Sequence, residues 1–291
     1  MTTQYVKEVL STGDGTQGTL LLPRKIMDEL WQEVTKYLVP RQLAARYVGP
    51  EGIPGASLDI NLETANSLLV FRVPEGSAIP EKTVAHTSLN VPMAKYGLKS
   101  TFTAELLEDS QFDHLAQHVR VIGRKLAENE SRVIINDILD NGGNTVTGGA
   151  ALTIGNILSA WQNLEDNDFH ANVLLVGPEV YADMAQIDTF VEANKSGEST
   201  PSAITGRIGR VYGMDVLLYS RNLNPAGRTA ANQGKRAYVL DTTQGFVFAE
   251  KRPMSIEEWE DKSNDLKGLV ATQRFGVGLL RSTAITIITT T

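Results

Sequence analysis

The sequence predicts an α+β fold organised around one long helix, and three observations lead there. From Ala104 to Leu139 there is no proline, and Leu107, Leu115, Val119, Ile122, Leu126, Val133 and Ile138 recur mostly at three- and four-residue intervals among charged residues. That is the pattern of an amphipathic helix. Strand and helix patterns alternate through the middle of the chain, whereas strand patterns alone close it. Finally, residues 55–100 form a long β excursion with too few apolar residues for a core of its own.

For the long helix, Thr103 is placed to cap the start. Asn141, Gly142 and Gly143 are expected to stop it, because glycine takes the left-handed conformation that closes helices. At 1.5 Å per residue such a helix is roughly 50 Å long, a beam for other elements to attach to.

Taken in order, residues 1–22 place Gly13, Gly15 and Gly18 among Thr, Asp and Gln, the composition of a flexible arm. GDGTQG has the spacing of a dinucleotide fingerprint, but the next helix waits until Pro23 and no βαβ unit surrounds it, so no cofactor is expected. A short helix from Pro23 carries Ile26, Met27, Leu30, Trp31, Val34 and Leu38 on one side and ends at Pro40. GPEGIPG turns follow, then strands through Leu58, Ile60 and Leu62, from Leu68 to Val73, and from Thr83 to Met93, with Pro92 marking a sheet edge. An isolated hairpin is marginally stable. This one needs a surface to lie on, and another copy of the chain is the expected one.

Beyond the long helix, TVTGG reads as a turn, and Thr153 caps a helix bearing Ile154, Ile157, Leu158, Trp161 and Leu164. Val173 to Val176 reads as a buried strand, followed by a Gly-Pro turn and a short helix. Loops are expected at 194–202 and 224–236, flanking a strand from Val216 to Tyr219. Strands then run from Ala237 to Leu240 and Phe246 to Ala249, with a closing pair around Leu269 to Phe275 and Leu279 to Ile288.

Composition removes several functions. Of 291 residues, 42% are apolar and 21% charged, and the net charge is −7. A polyanion-binding domain shows the opposite sign or a basic block. Here no basic cluster exceeds two residues, as at Arg24-Lys25, so no affinity-generating contact with nucleic acid is expected, although a mildly acidic wall around it is compatible with this charge. Without cysteine there is no disulfide, thiolate metal site or cysteine nucleophile. MTTQYVKEVL lacks the apolar core of a secretory leader, and no run approaches 18 apolar residues.

The candidates for chemistry are few. His114 and His118 lie one turn apart on the long helix, but Leu115 stands where a metalloprotease carries its base and no third ligand is evident. Solvated surface histidines are the expectation. Glu165, Asp166, Asp168 and His170 form a polar helix exit; the same residue types also suit a hard cation or an acid/base pair. Ser110 near His114 has no supporting context for a triad, and no nucleophile elbow, Walker loop or kinase signature occurs. No catalytic residue, cofactor or metal is expected.

Three blocks, in order, carry a resemblance. They are VPEGSAIPEKTVAHTSLNVPMAKYGLKSTFTAELLEDS (73–110), VLLVGPEVYADM (173–184) with GRIGRVYGMDVLLYSRNLNP (206–225), and DLKGLVATQRFGVGLLRSTAITI (265–287). Together they resemble the major capsid proteins of tailed bacteriophages and related archaeal viruses, the Hong Kong 97 capsid fold. The resemblance implies an N-terminal arm and short helix (1–54), an extended β loop (55–100), a peripheral domain with its spine helix (101–150), an axial domain (151–250) and a closing β arm of the peripheral domain (251–291). It implies a virion protein, assembled in the host cytoplasm, whose copies form pentamers and hexamers of an icosahedral shell enclosing double-stranded DNA without sequence-specific binding. Partners implied are further copies and separate scaffolding, portal and decoration proteins; the family-like arm begins near Met1, so no long fused scaffolding segment is expected.

In this family one subunit's loop lies across its neighbour. Contact candidates are Arg72, Glu75, Glu81 and Lys82, facing Lys262, Lys267 and Arg274 of that neighbour. Members that cross-link use a loop lysine and an asparagine of the closing arm; those positions hold Ile79 and Gly268 here, so a non-covalent shell is expected. Two rivals stand beside this reading: an encapsulin-type compartment around a cargo enzyme, and a soluble enzyme using Glu165 to His170.

Overall fold

The long helix pattern folds as α1, His114–Asp137, whose 24 residues span about 36 Å. This computed structural model describes residues 39–53, 55–63, 70–79, 81, 83–103, 105, 114–187, 209–219 and 235–290. The expected short helix from Pro23, the stretch 106–113, the loop at 194–202, nearly all of that at 224–236, and Lys82 lie outside these residues. Thr103 ends a strand, and the start of the helix it was expected to cap is also outside them.

The stripe on α1 buries Val119, Ile122, Leu126 and Ile138, and half-buries Val133. The helix stops by a route other than the one expected. A 3-10 turn, Leu139–Asn141, follows it, and Asn141 Nδ2 donates to the carbonyl oxygens of Asn136 (3.2 Å) and Asp137 (2.9 Å). Gly142 has φ −54°, so no left-handed residue closes the helix. Glycine is needed there for close approach, because a Cβ would stand 2.9 Å from the Ile285 carbonyl oxygen.

Beneath α1 lies a sheet ordered β1-β10-β11-β4. Its strands are β1 (Arg46–Val48), β4 (Ala94–Thr103), β10 (Phe246–Asp261) and β11 (Leu266–Leu279). Only β1 with β10 is a parallel pair. The expected closing pair is corrected here: β11 has β10 as its partner, and β10 runs far beyond Ala249. Pro253 masks that length in the sequence, and the register shifts between Glu250 and Ser255 accommodate a residue that cannot donate to a ladder.

A second sheet is ordered β5-β12-β9-β6-β8-β7. It comprises β5 (Asn144–Thr147), β6 (Val173–Val176), β7 (Arg210–Val211), β8 (Met214–Leu218), β9 (Arg236–Leu240) and β12 (Ile285–Thr289). The expected turn TVTGG is mostly strand, since Thr145, Val146 and Thr147 pair parallel with Ile287, Ile288 and Thr289. After β11 a 3-10 turn, Ser282–Ala284, redirects the chain, so β12 enters this sheet between β5 and β9. On one face pack α2 (Ile154–Glu165) and α3 (Pro178–Met184), with Thr153 Oγ1 accepting from Asn156 N at 3.3 Å as a cap. Cover on both faces explains why Val173 to Val176 are all buried.

The two sheets share one apolar junction. Ile134 and Ile135 of α1, with Ile138 just beyond its end, meet Phe246, Phe248 and Phe275 of the first sheet and Tyr238, Leu240, Ile285 and Ile287 of the second. Phe275 stacks between Tyr96 (4.7 Å between centroids) and Phe248 (5.4 Å). A third, two-stranded sheet pairs β2 (Ser57–Glu63) with β3 (His86–Pro92). The strand expected from Leu68 to Val73 is not formed over its described part: residues 70–73 have no ladder partner, and Val70 is 102% exposed.

We expect Phe275→Ala to lower stability by about 3–5 kcal/mol, the usual range for emptying a buried aromatic site, read as a lower urea midpoint.

Candidate assembly surface

Among the described residues singled out for chemistry, each takes a structural place. His118 is tied down rather than solvated, which corrects the expectation for it: its Nδ1 lies 2.6 Å from Ser100 Oγ and its ring meets Phe102 edge-on. The side chain of His114 is outside the described residues. Glu165 Oε1 lies 3.1 Å from His170 Nδ1 and accepts from Ala171 N at 3.4 Å, while Asp241 accepts from His170 N at 3.2 Å. Asp168 takes φ 61° in the turn after α2. These residues close a helix exit. Among the described residues, no three His, Cys, Asp or Glu side chains gather as a metal site.

The structure builds a buried charge cluster instead. The 3-10 turn Pro40–Leu43 brings Arg41 between α1 and β10, where Nη2 donates to Glu250 Oε2 at 2.6 Å and Nη1 lies 3.6 Å from Glu130 Oε1. The guanidinium also stands over Phe248 (4.7 Å) and Tyr47 (5.3 Å), and the Tyr47 hydroxyl donates to Glu250. Glu130 is 2% exposed and its Oε1 has no hydrogen-bond partner. Burial pushes its carboxyl up to about 7; Arg41 opposes that rise and Glu250 adds to it. The sequence held a signal for this residue: Glu130 sits four residues after Leu126 and four before Ile134, inside the apolar stripe.

The β2–β3 hairpin is the other feature, and the sequence reading expects a partner for it. Its root rests on its own subunit, which narrows the expectation that another copy must carry the whole excursion. Ile53, Ile60, Val91 and Met93 pack on Val247 and Ala249 of β10. Lys251 donates to the Gly55 carbonyl, and Arg281 Nη2 donates to that of Glu63 at 3.0 Å. Farther out the arm is open, with Val70, Phe71, Ile79 (79%) and Val84 exposed. Arg72, Glu75 and Glu81 are exposed on this arm. Lys262 is exposed in the turn after β10, Lys267 is exposed on β11 opposite Glu260 and Phe102, and Arg274 is half-buried on β11. Within one subunit the described arm residues form no ion pair with these three.

A long helix laid on a twisted sheet, a second sheet flanked by helices, and an arm reaching out of the subunit define a capsid subunit of the Hong Kong 97 type. The chain belongs to the phage capsid protein family, whose model matches residues 87–288, well over half of it. Its fold is similar to that of a solved structure from Mycobacterium phage Che8, with TM-score 0.69, 16% identity, and 86% of this chain and 90% of that one covered. It is similar too to the capsid structure of cyanophage P-SCSP1u (TM-score 0.68, 14% identity, 85% and 87% covered). A third likeness is to the capsid of a native GTA particle (TM-score 0.65, 18% identity, 86% and 89% covered). No curated protein matches it in sequence. The protein is a virion structural component, a major capsid protein.

The buried carboxyl has a consequence for pH. Glu130 titrates near 4.5 when exposed and near 7 in the fold, so the folded state holds the proton more tightly. Its contribution to stability is fully present below about pH 4.5 and is lost as pH rises through about 7, by roughly 3 kcal/mol at most. Urea midpoints measured across this window should show Glu130→Gln flattening the decline.

Proposed function

We propose that copies of this chain close into pentamers and hexamers of an icosahedral shell around double-stranded DNA. The observation that carries this reading is the open arm: among the described residues, Val70, Phe71, Ile79 and Val84 are exposed apolar side chains. Leaving such a stretch in water is unfavourable, and a sister subunit is the partner that every copy has available. On this reading Arg72, Glu75, Glu81 and Lys82 meet Lys262, Lys267 and Arg274 of a neighbour. Shell contacts of this kind are individually modest and gain strength from repetition around a closed surface.

The domains we propose are the arm with its short helix (1–54), the extended loop (55–100), a peripheral domain over 101–150 and 251–291, and an axial domain over 151–250, with β12 crossing from the closing segment into the axial sheet. The shell's work is mechanical: closing, resisting the pressure of packaged DNA, and expanding as loop and helix change angle. DNA is enclosed without sequence-specific contact. Separate scaffolding, portal and decoration proteins complete the assembly, and no catalysis, cofactor or metal takes part. The matching family is a phage capsid family, which favours a viral shell over an encapsulin-type compartment.

Electron microscopy of the purified chain should show uniform hollow particles; a monomer at high concentration, with no particles, would refute the proposal. Val70→Glu combined with Ile79→Glu should leave the subunit folded by circular dichroism and lower the particle yield about tenfold or more. The cross-link positions hold Ile79 and Gly268, and a Cβ on Gly268 would overlap the Ser100 carbonyl, so the particles should run as single chains on a denaturing gel.

A further inference from the structure

The register of the four-stranded sheet sets three cations side by side. Lys95 on β4 lies opposite Arg274 on β11, and Arg274 lies opposite Arg252 on β10. Leu269, Ala271 and Phe275 of β11 turn toward α1 and the core, so Arg274 and its two neighbours project from the other face. Lys99 lies farther along β4 and reaches away from this row, its Nζ 3.0 Å above the Trp259 ring. Like charges directly opposite across strands destabilise a sheet. Among the described residues, no carboxylate forms an ion pair with Lys95, Arg252 or Arg274.

The far end of the same hairpin has the opposite sign. Glu257, Glu258, Glu260, Asp261 and Asp265 cluster there against Lys262 and Lys267, and all but Asp261 are exposed. The turn is fixed as well as charged: Asp261 accepts from Ser263 N at 3.0 Å, from Ser263 Oγ at 2.5 Å and from Asn264 Nδ2 at 2.8 Å. Five residues of strand, roughly 17 Å, separate Arg252 from Glu257, the nearest of these carboxylates, too far for a direct ion pair within the row's own copy.

We infer that the acidic end of the β10–β11 hairpin of one copy docks on the basic row Lys95, Arg274 and Arg252 of a second copy. Two different patches meet in this contact, so it runs head to tail and closes into rings when the rotation between copies allows. The arm is the weaker occupant, since Glu75 and Glu81 are accompanied by Arg72 and Lys82, whereas the hairpin end sets five carboxylates against three lysines, Lys99 on Trp259 included. Arg274 then serves the row, and Lys262 and Lys267 remain for the arm. Exposed ion pairs contribute little singly, but a cluster matched in sign steers association and sets register. The inference rests on the reading that copies of this chain assemble with one another.

Charge reversal in the full chain tests it, with particles counted by sedimentation and electron microscopy and folding checked by thermal melts of unassembled subunits. Lys95→Glu with Arg252→Glu should lower particle yield about tenfold, Glu257→Lys with Glu258→Lys should do the same, and all four together should recover most of it. If the reversal lowers the melting temperature, Lys95→Gln with Arg252→Gln is read instead, with an expected fall of about threefold. Either pair assembling at the unaltered yield would overturn the inference while leaving the shell reading intact. So would failure of the fourfold variant to recover, or rescue of the row variant by Glu75→Lys with Glu81→Lys instead. Absence of particles from the unaltered chain would remove the shell reading itself, and the inference with it.

Discussion

Removing the second half of α1 from water is the interaction on which the rest of the subunit depends. Ile134, Ile135 and Ile138 are each almost completely buried and touch both sheets through one continuous cluster. Each such side chain contributes about 1.5–3 kcal/mol relative to exposure. The sheets share no strand pairing, so this junction sets their relation, aided by the chain's own crossing from β11 to β12. The first half of α1 is served by a smaller cluster, in which Val119, Ile122, Leu126 and Ala127 meet Met254, Leu269 and Ala271. The beam is therefore rooted at one end and lies along a single sheet at the other.

Arg41 occupies the transition between those halves. Two buried carboxylates and two aromatic rings surround its guanidinium, tying residues 39–48 to both helix and sheet. Buried charges of this kind rarely add net stability over an apolar alternative, because the cost of leaving water offsets the attraction. What they supply is position, since a guanidinium between carboxylates tolerates little displacement before a buried charge is stranded. Glu130, with an oxygen lacking any hydrogen bond, is the member most easily neutralised, and it sits on the helix rather than on the arm side of the contact.

Much of this was legible from periodicity. Val173 to Val176, the Thr153 cap and the buried stripe of α1 were all readable because each is decided within a few residues. The failures share a cause in non-local pairing. Thr145 to Thr147 is β-branched but short and runs into the turn signal of Gly148 and Gly149, and it becomes strand because β12 arrives beside it from the far end of the chain. The length of β10 was hidden by Pro253, whose missing donor the register shifts absorb. The Arg41 cluster was invisible because Arg41 and Glu250 are separated by more than two hundred residues, although one carboxylate inside an apolar stripe could have flagged Glu130. Capsid identity came from the order of three blocks, a resemblance that no single strand or helix carries.

In the proposed assembly, the chemistry of the surfaces divides the labour. Apolar burial holds the subunit together and is insensitive to salt at the Debye scale, whereas the sheet face and hairpin end present opposite charges that salt screens within about 8–10 Å. A shell built only from apolar contacts would trap its first mistakes, because each misplaced subunit would leave slowly. Contacts steered by charge form quickly, dissociate readily when out of register, and become secure only when many close at once. The open arm, apolar at Val70, Phe71, Ile79 and Val84, is suited to act after that selection, covering itself on a neighbour already held in place. Keeping the two kinds of surface on different elements, one on a rigid sheet and one on a reaching hairpin, lets correct geometry be tested before it is made permanent.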